Sequence, residues 1–114
     1  MITLYGIKNC DTVRKACKWL DAHEVEYQFH DLRKEGVSEA LIRSWADEVA
    51  WEQLLNRRSL TWRKLSDEEK SDLNPSKAIK LMTAHPTLIK RPVVESGRAV
   101  IVGFNEATYQ TELL

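Results

Sequence analysis

A strand, a loop and an amphipathic helix follow one another at the start of the chain. Ile2–Tyr5 is typical of a short strand, Gly6 opens the loop, and apolar residues then recur every third or fourth position. Alternating apolar and polar residues over Val25–Leu32 predict a second strand. A strand–helix–strand order predicts two parallel strands joined by a crossover helix, which restricts the chain to an α/β fold.

The rest of the chain contributes helices first and strands afterwards. Arg33–Gly36 is interpreted as a polar turn, and residues 37–85 as an all-helical insertion. Within that insertion Leu60–Leu65 shows no regular pattern, whereas three residues are expected to cap helices, namely Ser38, Ser66 and Asn74. The order of elements predicts a mixed four-stranded sheet with flanking helices, in which the core segments are 1–36 and 86–114.

A hairpin and a last helix complete the prediction. Val93–Glu95 and Arg98–Val102 are expected to form antiparallel strands joined by a two-residue turn at Ser96–Gly97. Asn105 is expected to cap the final helix. With 114 residues in the chain, a single domain is the expectation.

Composition excludes several classes of function. The formal net charge is zero, which argues against nucleic acid or an anionic membrane as a partner. No apolar run approaches the length of a membrane span, and no secretory signal is recognisable. The two cysteines, Cys10 and Cys17, lie about 10 Å apart along one predicted helix, too far for a disulfide. The sequence therefore predicts a cytoplasmic protein with free thiols and no metal site.

Cys10 is the strongest candidate for chemistry. It lies where the loop meets the first turn of the helix, and unpaired N–H groups and the helix dipole favour an anion there. A thiol in that position ionises more readily, and the thiolate is the nucleophilic form. Arg14 follows at i+4, and Lys8 adds positive charge from the loop. The alternative is that Cys10 is only a small buried residue, while Cys17 is interpreted as structural because it shares the apolar stripe.

Three segments resemble the ArsC/Spx-like family of thioredoxin-fold arsenate reductases, and in particular its YffB-type members. They are Tyr5–Ala16 (YGIKNCDTVRKA), Leu54–Ser59 (LLNRRS) and Lys90–Val94 (KRPVV). The resemblance covers essentially the whole chain and implies a thioredoxin-like fold. It also implies that Cys10 is the redox nucleophile, with Arg14 and Arg91 as further catalytic residues and a cis bond before Pro92.

The same resemblance implies a substrate site and a co-substrate. The residues expected to bind substrate are Lys8, Asn9, Thr12, Asn56, Arg57 and Pro92. With one usable cysteine, the protein is expected to need an external thiol, glutathione or another small thiol, and glutaredoxin is a possible partner. No bound cofactor is expected.

The sequence departs from the family pattern at three places. Asn56 stands where arsenate reductases of this kind have an arginine, and Gly103-Phe104 stands where they have Arg-Pro. Val13 occupies the position of the second cysteine in the C-x-x-C motif of Spx regulators. Three functions stay open: a glutathione-dependent reductase, an arsenate reductase with an incomplete arginine clamp, and a non-catalytic Spx-like regulator that binds RNA polymerase.

Overall fold

The computed structural model describes residues 2–114. The chain forms two compact units, one of which contains the segment up to Glu35 together with Arg91–Leu114. The other unit is Gly36–Lys90. Among the described residues no helix has both the length and the apolar character to cross a membrane.

The first unit is built on a four-stranded mixed sheet, as the sequence predicts. Its strands are β1 (Ile2–Gly6), β2 (Tyr27–Asp31), β3 (Val93–Glu95) and β4 (Val100–Val102). The order across the sheet is β2-β1-β3-β4. β1 and β2 are parallel, whereas β3 is antiparallel to both β1 and β4. This arrangement confirms the predicted crossover unit and the fold class.

Helices account for most of the remaining described chain. In order they are α1 (Asp11–Ala22), α2 (Leu32–Glu35), α3 (Glu39–Glu48), α4 (Trp51–Leu54), α5 (Leu60–Lys64), α6 (Asp67–Lys70), α7 (Pro75–Ala84) and α8 (Glu106–Leu113), with a 3-10 turn at Pro86–Leu88. Each predicted cap is confirmed: Ser38 and Asn74 accept backbone N–H groups, and Ser66 forms a capping box with Glu69. The predicted cap of α8, Asn105, accepts the N–H of Thr108.

Two predictions of irregular structure are wrong. Leu60–Leu65 is not irregular, because α5 forms there and the hydroxyl of Ser59 accepts the N–H of Trp62 as its cap. Arg33–Gly36 is not a simple turn, because α2 already begins at Leu32. The carboxylate of Asp31 accepts the N–H groups of Arg33 and Lys34 and so starts that short helix.

The hairpin turn lies one residue later than predicted. The N–H of Ser96 donates to the carbonyl of Ala99 at 3.1 Å, so the two central residues are Gly97 and Arg98. Gly97 has φ +86°, a backbone conformation that favours glycine at the first central position of a hairpin turn. The return strand consequently begins at Val100 rather than at Arg98.

Helix α1 packs closely onto the end of β1. Its buried face joins a core formed by Leu4, Val13, Ala16, Trp19, Leu20, Val94, Ile101 and Tyr109. At Gly6, a Cβ atom would lie 2.9 Å from both methyl carbons of Val13, a side chain that is only 1% exposed. The missing side chain at Gly6 therefore allows the helix that follows Cys10 to approach the strand.

We expect Gly6→Ala to destabilise the first unit. Overpacking of this kind typically costs about 1–3 kcal/mol in the free energy of unfolding, because a buried β-branched side chain cannot move aside. Urea unfolding of the variant measures the cost. In a Val13→Ala background the same change should cost much less, and an unchanged penalty in that double-mutant cycle would exclude the contact as its cause.

Candidate active site

Cys10 is the N-cap residue of α1. Its backbone is extended, with φ −119° and ψ 122°, and its side chain makes no capping hydrogen bond. Its carbonyl accepts the N–H of Arg14 at 3.0 Å, which closes the first helical turn, and the residue is half-buried. A side chain at the N-cap lies near the first N–H groups of its helix, so a thiolate there gains backbone donors and the favourable end of the dipole.

The cationic side chains near Cys10 in the sequence, Lys8 and Arg14, are exposed, and Arg14 also forms a hydrogen bond and an ion pair. Arg14 donates through Nε to the carbonyl of Lys8 at 3.3 Å and through Nη1 to the carboxylate of Asp11 at 3.1 Å. The Arg14 and Asp11 side chains are 61% and 86% exposed, so this ion pair is worth little in stability. The sequence analysis missed this pair, although the i, i+3 spacing could have indicated it. Asn9 and Thr12 are also exposed on the loop and the first turn.

The register of the sheet brings the Arg91-Pro92 segment to the end of β1. Tyr5 pairs with Val93 in the antiparallel ladder, so the residues before Val93 lie at the end of β1 from which the loop leads to Cys10. The Arg91–Pro92 peptide bond is cis, which confirms what the family resemblance implies. Pro92 is buried and Arg91 is half-buried.

A second loop supports Pro92. The N–H of Gly103 donates to the carbonyl of Pro92 at 2.8 Å, and the hydroxyl of Tyr109 donates to the carbonyl of Gly103 at 2.8 Å. Gly103 has φ +84°, where glycine is favoured. The sequence analysis noted Gly103 only as a departure from the family pattern. In the structure it links the buried Tyr109 on α8 to the backbone beside Arg91.

Ionisation of Tyr109 is expected to lower the stability of the protein in alkali. Burial, and secondarily the proximity of Cys17, raises the pKa of Tyr109 above its usual value of about 10. Because the folded-state pKa is the higher one, the tyrosine contributes its full stability below about pH 10 and loses it as the pH rises further. Tyr109→Phe should flatten that alkaline decline, and it should cost about 1–2 kcal/mol at neutral pH by removing the bond to Gly103.

Urea unfolding across this pH range measures both effects. Tyr5→Phe is a second variant that should also flatten the decline, because burial raises the pKa of Tyr5 as well and its hydroxyl donates to Glu95 at 2.6 Å. An alkaline decline that is equally steep in the wild type and in Tyr109→Phe would contradict the assignment.

Asn56 and Arg57 belong to the second unit. The N–H of Asn56 donates to the carbonyl of Leu88 at 2.7 Å, and its side-chain oxygen accepts the N–H of Arg58. Arg57 is exposed, and its guanidinium carbon lies 5.8 Å from the centre of the Trp62 ring. Asn56 therefore organises its own loop, and the substrate-binding role of both residues stays a prediction.

Cys17 is less buried than its position in the apolar stripe predicts. It is a half-buried free thiol that packs against the core and lines a surface groove beside α1. Burial raises the pKa of Tyr27, and hydrogen bonding to Cys17 and Asp21 raises it further. Cys17 lies beside Tyr27 of β2, and β2 is the edge strand of the described sheet.

The four-stranded mixed sheet with its flanking helices is thioredoxin-like, and a free cysteine lies at the N-terminus of its first helix. The chain belongs to the ArsC family, whose model matches residues 5–111. At the level of the family, this membership supports a thiol-dependent reductase.

Three proteins are similar to this chain over most of its length. An uncharacterised protein of Haemophilus influenzae is 44% identical over 110 residues, which cover 96% of each chain. The solved structure of a YffB protein is 46% identical, covers 100% of both chains and superposes with a TM-score of 0.97. The global transcriptional regulator Spx of Streptococcus mutans is 32% identical over 108 residues, which cover 93% of this chain and 78% of Spx.

Proposed function

We propose that this protein is a cytoplasmic thiol-disulfide reductase that uses Cys10 as its nucleophile and glutathione as its external thiol. The observation that carries the proposal is the place of Cys10 at the N-cap of α1, where its side chain forms no capping bond and is half-buried. A cysteine held only for packing has no need of a helix N-terminus. Membership of a family of thiol-dependent reductases supports the same chemistry.

The proposed reaction proceeds by two thiol–disulfide exchanges. The Cys10 thiolate attacks the glutathione sulfur of a mixed disulfide, so that a Cys10–glutathione disulfide forms and the substrate leaves as a thiolate that takes up a proton. The thiolate of a second glutathione then attacks the glutathione sulfur of that intermediate. Glutathione disulfide leaves and the Cys10 thiolate is restored. The substrate gains two electrons, and the two glutathione sulfurs end joined to each other.

Cationic and polar groups around Cys10 supply the remaining functions in this proposal. Arg14 and Arg91 favour the thiolate and bind carboxylates of glutathione, since a guanidinium presents two parallel donors to a carboxylate. The exposed polar groups Lys8, Asn9 and Thr12 and the backbone beside Pro92 complete the binding surface. Glutaredoxin is a possible alternative reductant of the Cys10–glutathione disulfide.

Intact-protein mass spectrometry tests the covalent step. The reduced protein is mixed with a glutathione mixed disulfide of a small thiol, and one glutathione should become attached at Cys10 in both the wild type and Cys17→Ser. Excess glutathione should remove the adduct and produce glutathione disulfide with turnover. An adduct that forms only on Cys17, or none at all, would exclude the proposal.

Membership of the ArsC family and similarity to Spx suggest two alternative functions. Arsenate is included as a substrate because the family includes arsenate reductases, although Asn56 and Gly103 replace arginine positions of the clamp. The 32% identity to Spx favours a regulatory alternative, in which RNA polymerase is bound without turnover. Val13 removes the C-x-x-C switch of that class, so reductase activity is the better-supported proposal.

A further inference from the structure

A groove of about 580 Å³ runs along α1 beside the edge strand β2. Its floor includes Val13, Cys17 and Phe29, and such a volume is typical of sites that bind small molecules or peptide side chains. Cys17 and Phe29 are only half-buried, so part of this apolar floor is open to a ligand. The sequence analysis treated the whole stripe as core and did not predict the groove.

The rim of the groove is cationic near Cys10. Lys8, Arg14, Lys15 and Lys18 all line it. Arg14 is paired with Asp11, but within residues 2–114 neither Lys15 nor Lys18 forms an ion pair. These two lysines therefore favour carboxylates on whatever occupies the groove.

The charge changes sign further along the same edge. A neighbouring hollow of about 850 Å³ shares Asp21 and Phe29 with the groove, and it is lined in addition by Glu24 and Glu26. A ligand long enough to occupy both therefore meets cations first and carboxylates afterwards. This order selects for the sequence of charges along the ligand and not only for its net charge.

The adjoining strand favours a peptide as the occupant. β2 is the edge of the sheet, with β1 on one side and no strand of the described sheet on the other. An extended peptide can pair with such an edge while alternate side chains enter pockets beside it. A small molecule would gain nothing from the exposed strand.

The residues that flank the nucleophile in the sequence line one end of the groove. Arg14, Cys17 and Asp21 follow Cys10 at i+4, i+7 and i+11, so they continue one row of α1 that begins at Cys10. Lys8 and Asp11, on either side of Cys10 in the sequence, line the same groove. A peptide that lies along this row has one end beside the Cys10 thiol.

We propose that this groove binds the peptide segment of a protein–glutathione mixed disulfide. An apolar residue of the peptide occupies the floor between Cys17 and Phe29, acidic residues near its modified cysteine face Lys15 and Lys18, and basic residues further away face Glu24 and Glu26. The inference rests on the proposed function, and it names the substrate class as glutathionylated protein rather than a small disulfide. Glutathione passes from the peptide cysteine to Cys10 as above, and the peptide leaves as a thiol.

Glutathionylated peptides with reversed charge order test this preference. Each peptide carries one glutathionylated cysteine and one leucine. In one peptide acidic residues follow the cysteine and basic residues lie further away, and in the other the two charge types are exchanged at equal net charge. Both orders are also made preceding the cysteine, so that either chain direction is covered. We expect kcat/KM to be roughly 5- to 10-fold higher with the acidic residues nearer the cysteine, in at least one direction.

Charge reversal on the rim supplies the matched comparison. Lys15→Glu with Lys18→Glu should abolish or invert the preference. Lys34→Glu with Arg98→Glu, which alters two exposed positions of the same unit by the same net charge, should retain it. Equal preference in the two variants, or none in the wild type, would overturn the groove assignment.

A binding measurement separates this inference from the proposed function. The same peptides are made with S-methylcysteine in place of the glutathionylated cysteine and are mixed with Cys10→Ser, so that no reaction can occur. A peptide in the groove should slow alkylation of Cys17 by a maleimide severalfold, and this protection should depend on charge order in the same way. If the peptides protect Cys17 in a way that depends on charge order but the wild type shows no turnover, the result would support the groove and exclude the reductase. Turnover without protection or charge-order preference would support the reductase and overturn the groove.

Discussion

Cys10→Ser is expected to lower reductase turnover by about a thousandfold or more while leaving the fold intact. Removing an enzyme's nucleophile commonly costs at least that factor, since the covalent intermediate can no longer form. The hydroxyl of serine is nearly isosteric with the thiol, and serine is itself a favoured N-cap residue, so α1 should persist or gain stability. Formation of glutathione disulfide measures the loss, and circular dichroism verifies the fold.

Cys17→Ser is the matched control. It should retain most of the activity and lose some stability, because a hydroxyl replaces a thiol that packs against the core. If Cys17→Ser loses as much activity as Cys10→Ser, Cys17 is a resolving thiol and α1 must open during turnover.

Patterns that extend over several turns made most of the fold predictable. Alternation in β2 and a recurrent apolar face on α1 were enough to predict the parallel crossover, and four side-chain caps identified helix starts. The failures concern short elements. α5 has only five residues, so no periodicity could develop in this segment. The hairpin was misplaced because Ser96-Gly97 and Gly97-Arg98 both satisfy turn preferences, and only the hydrogen bond between Ser96 and Ala99 distinguishes them.

The candidate site was predictable in its centre and not in its surroundings. The loop before α1 identified Cys10, and the family resemblance identified the cis bond at Arg91–Pro92. The ion pair between Asp11 and Arg14 and the support of Pro92 by Gly103 depend on side-chain direction and on contacts between distant segments. Helical spacing also could not show that Cys17 borders an open groove, since the apolar stripe of a helix is wider than the surface that its neighbours cover.

Arg91→Ala is expected to weaken both substrate binding and thiolate chemistry. Arg91 immediately precedes Pro92 at the end of the sheet from which the loop leads to Cys10, and its side chain is half-buried. A hydrogen bond between charged groups is commonly worth about 1.5–3 kcal/mol, so its loss should lower kcat/KM for a glutathione mixed disulfide roughly 10- to 100-fold.

Two further arginine variants decide what Arg91 contributes. Arg91→Lys should recover only part of the lost kcat/KM, because lysine keeps the charge but lacks the planar pair of donors. Arg98→Ala, at the exposed hairpin of the same unit, should leave kcat/KM unchanged. If Arg91→Ala also leaves kcat/KM unchanged, Arg91 does not act at the thiol, and the anion would have to be held by Arg14 and the N-terminus of α1.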